Sequence, residues 1–298
     1  MVELKNENLF VQIAPLGAEL RSVVDQTTGI EYMWQADGTY WGRTSPILFP
    51  IVGKLKEDMY FLKNDRYELV QHGFARDCEF DLIEQTKHSA TFELRDNKTT
   101  FAHYPFHFKL RVVYRLAADT LHVSWYVENL ETEKTMPFSI GAHPAFNLNM
   151  FDADTIEDFY LEFDKEIHLA SWQLTDGSFG TDFADFGVSD SIRLAPDLFM
   201  NDALVFTNID IKTIALKNMR NKHKVVMDLS NFIFKDAERS LGIWTPYVDG
   251  GVAPFICIEP WFGHADTVAG PFELIDKPGI IALAHGDEFT TEYSLQFY

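Results

Sequence analysis

Cysteine is nearly absent. The 298 residues hold two, Cys78 and Cys257, far apart and without partner spacing. That excludes a disulfide framework and a cysteine metal knuckle, and it fits a reducing cytoplasm. The first eight residues, Met1-Val-Glu-Leu-Lys-Asn-Glu-Asn8, lack the basic-then-apolar pattern of a secretory signal. No apolar run approaches the length of a membrane span. Basic charge is also scarce: 25 Lys and Arg stand against 45 Asp and Glu, a net charge of −20. Such a surface repels nucleic-acid phosphates and anionic lipid, so neither is an expected partner. Glycine-rich phosphate loops, a Gly-x-Ser-x-Gly elbow, a His-Glu-x-x-His pair and a calcium loop are missing, and nothing argues for a bound metal.

Helical patterning is scarce too, and the dominant period is two. Phe108, Leu110, Val112, Tyr114 and Leu116 alternate with Lys109, Arg111, Val113 and Arg115. After the turn at Ala118-Asp119-Thr120, Leu121, Val123, Trp125 and Val127 alternate with His122, Ser124, Tyr126 and Glu128. This is the code of an antiparallel hairpin with one buried face. The C-terminal stretch from Phe289 to Phe297 repeats it, and similar segments lie near 8–14, 18–24, 78–86, 88–95, 211–217 and 223–229. Lys63-Asn64-Asp65 and Asp249-Gly250-Gly251 are turn signals. Short helical turns are expected near Thr99–Tyr104 and Asp190–Leu194, and 150–202 reads as irregular excursions. Hydrophobic residues make up 46% and include 26 Phe, enough for a large core. The expectation is one all-β domain over 1–298, a large antiparallel β-sandwich of two packed sheets with few short helices.

Four stretches stand out as built to hold polar groups. In Pro137-Phe-Ser-Ile-Gly-Ala-His143-Pro-Ala-Phe-Asn147, Pro144 steers His143 away from helical backbone, and Gly141 permits an approach that a side chain would block. A partly buried strand-end histidine is the plain alternative. In Trp41-Gly-Arg43, the arginine precedes a proline-stiffened apolar segment and offers a fixed guanidinium to a polar ligand, or simply lies on the surface. In Gln71-His72-Gly73-Phe74-Ala75-Arg76-Asp77, His72 has room beside a glycine, while Arg76 and Asp77 suit local pairing as well as substrate contact. In Pro254-Phe-Ile-Cys-Ile-Glu259-Pro-Trp261, a strand would turn Ile256 and Ile258 to the core and Cys257 and Glu259 to the opposite face. A carboxylate there needs a partner, solvent or a raised pKa, and base catalysis is one use for it. Cys257 lacks an electropositive neighbour in sequence, which argues against a nucleophile. The other histidines, such as His88, His107, His122 and His168, have polar settings that suit surface hydrogen bonding.

Taken in order, the Arg, the His-Gly pair, the Gly-Ala-His-Pro-Ala-Phe-Asn segment and the late strand Glu resemble the aldose 1-epimerase (galactose mutarotase) family, over essentially the whole chain. The wording His-Gly-Phe-Ala-Arg and Gly-Ala-His-Pro-Ala-Phe-Asn is most similar to its LacX branch. The resemblance implies a β-supersandwich with a sugar cleft and anomer interconversion without a cofactor. It implies Glu259 as general base on the C1 hydroxyl, His143 as general acid at the ring oxygen, His72 as an aid at the same end, and Arg43 and Asp202 as sugar contacts, with Trp261, Trp41 and Phe74 available to stack on a pyranose. Gln71 stands where classical galactose mutarotases carry Asn-His ahead of the His-Gly pair, so galactose preference does not carry over. Arg43, Lys54, Lys56 and Arg76 could form a local basic patch for a hexose 6-phosphate. A phosphosugar mutarotase and a non-catalytic sugar-binding protein therefore remain alternatives, and the preferred sugar and oligomeric state stay open.

Overall fold

The structure is a computed structural model that describes residues 1–148, 154–235, 237–248 and 250–298. The alternating code forms strands where it is strongest. Phe108–Ala117 pairs antiparallel with Thr120–Asn129, placing Val112 opposite Trp125, and Glu288–Phe297 pairs on the other side of Thr120–Asn129. Val123, Trp125, Tyr293 and Leu295 are buried while His122 and Glu292 share the outer face. The other expected segments become Leu9–Ala14, Glu19–Asp25, Asp81–Gln85, Ser89–Arg95, Thr213–Asn218 and Lys224–Asp228. Lys63 and Asn64, both at positive φ, turn the Met59–Leu62/Asp65–Glu68 hairpin. The second turn signal includes Asp249, which lies outside the described residues. The expected helical turn is Lys98–His103, started by an Asn97 capping box.

Two expectations fail. Residues 159–193 are not irregular: Phe159–Thr175 and Ser178–Arg193 form a long antiparallel hairpin. Register shifts between Glu162 and Ile167, His168 and Ala170, and Trp172 and Leu174 break the period-two pattern that would reveal it. The turn expected at Asp190–Leu194 lies largely within the second of these strands; the short helical turn comes later, at Pro196–Phe199. Part of the 150–202 stretch falls outside the described residues.

Among the described residues, the expected pair of sheets is joined by hydrogen bonds into one sheet of 15 strands, beside a three-stranded sheet and three two-stranded pairs. This long sheet folds back on itself. Phe262 lies near one end of the strand path and Phe289 well along it, yet their rings meet at 5.4 Å, and Phe232 stacks on Phe262 at 4.4 Å. One continuous apolar core fills the space between, including Ile256, Ile258 and Phe262 from the strand Phe255–Phe262.

That strand positions the site. It is flanked by Arg239–Trp244 on one side and by Ile140–Ala142 and Ala145–Asn147 on the other. Its face away from the main core carries Cys257, Glu259 and Trp261. Trp261 lies flat across its neighbours because they are glycines. A Cβ on Gly141 would meet Trp261 Cδ1 at 2.3 Å, and one on Gly242 would meet Cζ2 and Cη2 at 2.5 Å. Gly242→Ala should therefore push the indole off its seat and lower the unfolding free energy by about 1–3 kcal/mol. Urea denaturation followed by tryptophan fluorescence measures this; an unchanged midpoint would show that Trp261 yields freely.

Candidate active site

A cavity of about 380 Å³ opens over this face, within the range of roughly 300–1,000 Å³ in which small-molecule sites fall. It has a polar end and an apolar end. Trp41, His72, Arg76, His143, Asp202 and Glu259 form the first. Leu174, Phe179, Val205 and Ala265, joined to the apolar cluster around Trp261, form the second.

At the polar end, His143 Nε2 lies 3.2 Å from Glu259 Oε2, with both side chains buried. The contact is close but not aligned as a hydrogen bond: Glu259 Oε2 and His143 Nδ1 both lack a hydrogen-bond partner. Arginine is not the partner of Glu259; its neighbour is the imidazole. Burial pushes the Glu259 carboxyl well above its ordinary range, and the nearby Asp202 charge adds to this. The Trp261 indole opposes the rise, although its N–H falls outside hydrogen-bond geometry for any acceptor. Burial likewise pulls His143 down to about 3; its own backbone carbonyl opposes this, and the charges of Arg76 and Arg43 add to it. Trp41 stacks on the His143 ring, with centroids 4.7 Å apart, and Trp244 meets it edge-on at 5.7 Å. The Trp41 segment is itself fixed, since Glu19 accepts from the Thr44 and Ser45 amides and Trp34 Nε1 donates to the Trp41 carbonyl.

His72 is held differently. It sits at φ +67, and Gly53 grips it twice: the His72 amide donates to the Gly53 carbonyl at 2.9 Å, and the Gly53 amide donates to His72 Nδ1 at 3.1 Å. An Nδ1 that accepts carries no proton, so the proton of the neutral ring sits on Nε2. Burial, then the His143, Arg76 and Arg43 charges, hold the His72 pKa well below its ordinary value. His72 is thus a fixed neutral donor, 5.7 Å from His143 between ring centroids.

The other sequence candidates separate. Arg43 does not line the cavity; its guanidinium pairs with Asp77 at 2.8 Å, and its influence on the histidines is through charge. Arg76 does line it, with one amino group donating to the Gln71 carbonyl at 2.7 Å and its Nε, which makes no hydrogen bond, 3.8 Å from Asp77 Oδ2. Asp202, at φ +83, reaches solvent but stands among walls that push its carboxyl upward by desolvation, opposed by the Ala203 amide and the Trp244 indole. Trp261 and Trp41 line the cavity, whereas Phe74 packs into the main core beside Phe49 and Phe108. Among the surface histidines, His107, His122 and His168 each pair with a carboxylate.

Sequence reasoning missed Trp244 and the apolar wall. Trp244 is opposite Cys257 across the strand pair, a register that no local pattern reveals. Leu174 and Phe179 flank the tip of the bulged hairpin, whose alternation is broken. Asp266 fastens that tip: its carbonyl accepts from the Phe179 amide at 2.8 Å, and its side chain accepts from the Lys56 amide at 3.0 Å. Among the described residues, one group of three potential metal ligands comes together, His143, Cys257 and Glu259, their ligand atoms within 4.8 Å of one another. Burial keeps Cys257 a thiol, its pKa well above the ordinary value. His143 and Glu259 are also a pair suited to exchanging a proton, so the set alone does not make a metal centre.

Comparison with known proteins gives a consistent answer. A family model described as aldose 1-epimerase matches residues 1–271. The chromosomal LacX protein of Lactococcus lactis subsp. lactis is 34% identical over 311 residues, spanning 99% of this chain and 98% of that protein. A solved galactose mutarotase related enzyme from Lactobacillus acidophilus is 37% identical with a TM-score of 0.91, covering 99% of this chain and 96% of its own. A galactose mutarotase-like protein from Lactobacillus casei is 31% identical with a TM-score of 0.92, and all of both chains align.

The Gly53 clasp has a direct spectroscopic consequence. In ¹⁵N-resolved histidine spectra, His72 should keep a proton on Nε2 and a bare Nδ1 as pH falls through 6.5, the ordinary histidine value. A His72 that titrates near 6.5 would rule out the clasp.

Proposed function

The chain belongs to the aldose 1-epimerase family, and on that premise we propose that it interconverts the α and β anomers of an unphosphorylated aldohexose. The observation that carries this reading is the unaligned contact between His143 and Glu259 at the cavity wall, 3.2 Å apart. Ring opening takes a proton from O1 and gives one to O5. Both oxygens are bonded to the same carbon, so the base and the acid have to be close neighbours. Glu259 takes the O1 proton and His143 protonates O5; the open aldehyde turns about C1–C2 and closes on its other face. His72 donates its Nε2–H to an oxygen at the same end, and Arg76 and Asp202 hold hydroxyls, with Trp261 against an apolar face of the ring. Arg43 acts behind them, through Asp77 and its charge.

The proton count favours a pair that carries one proton. Burial favours that proton on Glu259, with the imidazole neutral. Sugar hydroxyls that donate to the carboxylate and accept from the imidazole favour the transferred form, carboxylate with imidazolium. The two forms differ by one proton across the contact, so the substrate itself sets the reactive state. Neither step calls for a cofactor. In this reading the whole of 1–298 serves as one unit in a cytoplasmic setting, consistent with Cys78 and Cys257 being free.

A neutral sugar is favoured over a phosphorylated one because Arg76 is the one arginine or lysine among the described cavity-lining residues, beside Asp202 and Glu259. Beside the Asp202 carboxyl, that single guanidinium is too little to balance a dianionic phosphate.

Polarimetry on freshly dissolved α-D-glucose and α-D-galactose should show acceleration over buffer, and glucose 6-phosphate should respond less. Saturable binding of sugars with no acceleration of any aldose would make this a sugar-binding protein instead. Glu259→Gln and His143→Asn should each lower the rate by about 10²–10⁴-fold while thermal unfolding stays cooperative; near-normal rates in both would reject the assigned roles. The pH profile gives a separate check. The singly protonated pair persists from the depressed histidine value up to the raised carboxyl value. kcat/KM should therefore stay level as pH falls through 6.5. An acid limb centred near 6.5 would mean that an ordinary, solvated histidine controls the rate.

A further inference from the structure

We propose that His143, Cys257 and Glu259 form a reversible site for a borderline-soft divalent transition metal, Zn²⁺ in type, which closes the cleft when it binds. The ligand atoms come from three chemically different residues and already lie within 4.8 Å of one another, with the imidazole and carboxylate at 3.2 Å. Zinc bonds of about 2.0–2.3 Å in a tetrahedron separate ligands by roughly 3.3–3.7 Å, so the widest separation closes with about 1 Å of side-chain movement. A nitrogen, thiolate and carboxylate set suits zinc or cobalt and disfavours magnesium or calcium.

A second observation is independent of this grouping. Glu259 is only 2% exposed, lines the cavity, and its Oε2 has no hydrogen-bond partner. An unpartnered buried carboxyl oxygen favours a cation beside it. Binding is balanced as follows. The thiol proton, and any proton on Glu259, pass to bulk water as the metal–sulfur and metal–oxygen bonds form. The dication with one thiolate, one carboxylate and one neutral imidazole then has no net charge, which limits the cost of burying it. The fourth position faces the cavity and takes water or a hydroxyl.

The site differs from a dedicated metal centre in one respect. His143 Nδ1 finds no partner beyond its own backbone, so the outer hydrogen bond from another group that orients metal-binding imidazoles is missing. Binding should be reversible by a chelator rather than permanent. Its consequence for rate rests on the mutarotase reading, because the metal takes both the acid and the base; the site itself does not rest on that reading.

The test is a Co²⁺ titration of the full chain freed of metal, followed by absorption. One equivalent should bind with a thiolate-to-cobalt charge-transfer band, and Zn²⁺ should displace it. Cys257→Ala and Cys257→Ser, checked for folding by circular dichroism, should lose the band and weaken binding at least tenfold. In metal-free buffer both should mutarotate sugars like the parent chain, yet need at least tenfold more Zn²⁺ for inhibition. No thiolate band, or unweakened binding in either folded cysteine variant, overturns the site. A chain that binds Co²⁺ as described but accelerates no aldose leaves the site standing and removes the mutarotase reading.

Discussion

The buried contact between His143 and Glu259 is the constraint on which the rest of the site depends. Two titratable groups with their backs to an apolar core are costly, and each unpartnered polar atom left there costs about 1–3 kcal/mol. The sheet absorbs this by giving the central strand two different faces. Ile256, Ile258 and Phe262 secure one face in the main core, which frees Glu259 and Trp261 to line a cavity and leaves Cys257 buried on the same face of the strand. Everything placed around the pair limits its freedom without satisfying it. Trp41 stacks on the imidazole, Trp244 abuts its edge, and the Trp261 indole lies near the carboxyl without bonding to it.

The contrast with His72 sharpens this. Both histidines are buried in one cavity, and both are held below their ordinary pKa. Yet His72 has its Nδ1 filled by the Gly53 amide, whereas the Nδ1 of His143 finds no hydrogen-bond partner outside its own residue. The first is a group made constant. The second keeps its capacity to exchange a proton with a neighbour 3.2 Å away. Two like residues are thereby given unlike properties by one backbone amide.

Much of this was legible in the chain. Alternation located the long hairpin from Phe108 to Asn129 and the C-terminal strand, and it predicted that Cys257 and Glu259 would share a face away from Ile256 and Ile258. His-Gly and Ala-His-Pro marked imidazoles held by special backbone. What was not legible depends on distant partners. The sequence favours Arg43 as the ligand contact and Arg76 as the local partner of Asp77; in the fold Asp77 pairs closely with Arg43, away from the cavity, while Arg76 stands at its wall. The hairpin of Phe159–Thr175 and Ser178–Arg193 was hidden because its bulges shift the alternation repeatedly. Trp244 acquires its role from cross-strand register alone.

The unsatisfied atoms also explain why one cleft could accept two unrelated ligands. A sugar offers hydroxyls that donate to a carboxylate and accept from an imidazole; a divalent cation offers an empty orbital to the same lone pairs. The cleft distinguishes them by position. In the proposed readings the sugar takes the length from the polar end to the wall of Leu174 and Phe179, whereas the metal takes only His143, Glu259 and the sulfur of Cys257. Filling Glu259 Oε2 with a permanent hydrogen bond would remove the metal's opening and lessen the cost of burial. It would also fix the proton on one partner, and a pair that cannot pass a proton cannot open a ring. The proposed metal site and the proposed acid–base exchange thus share one origin in the same incomplete hydrogen bonding.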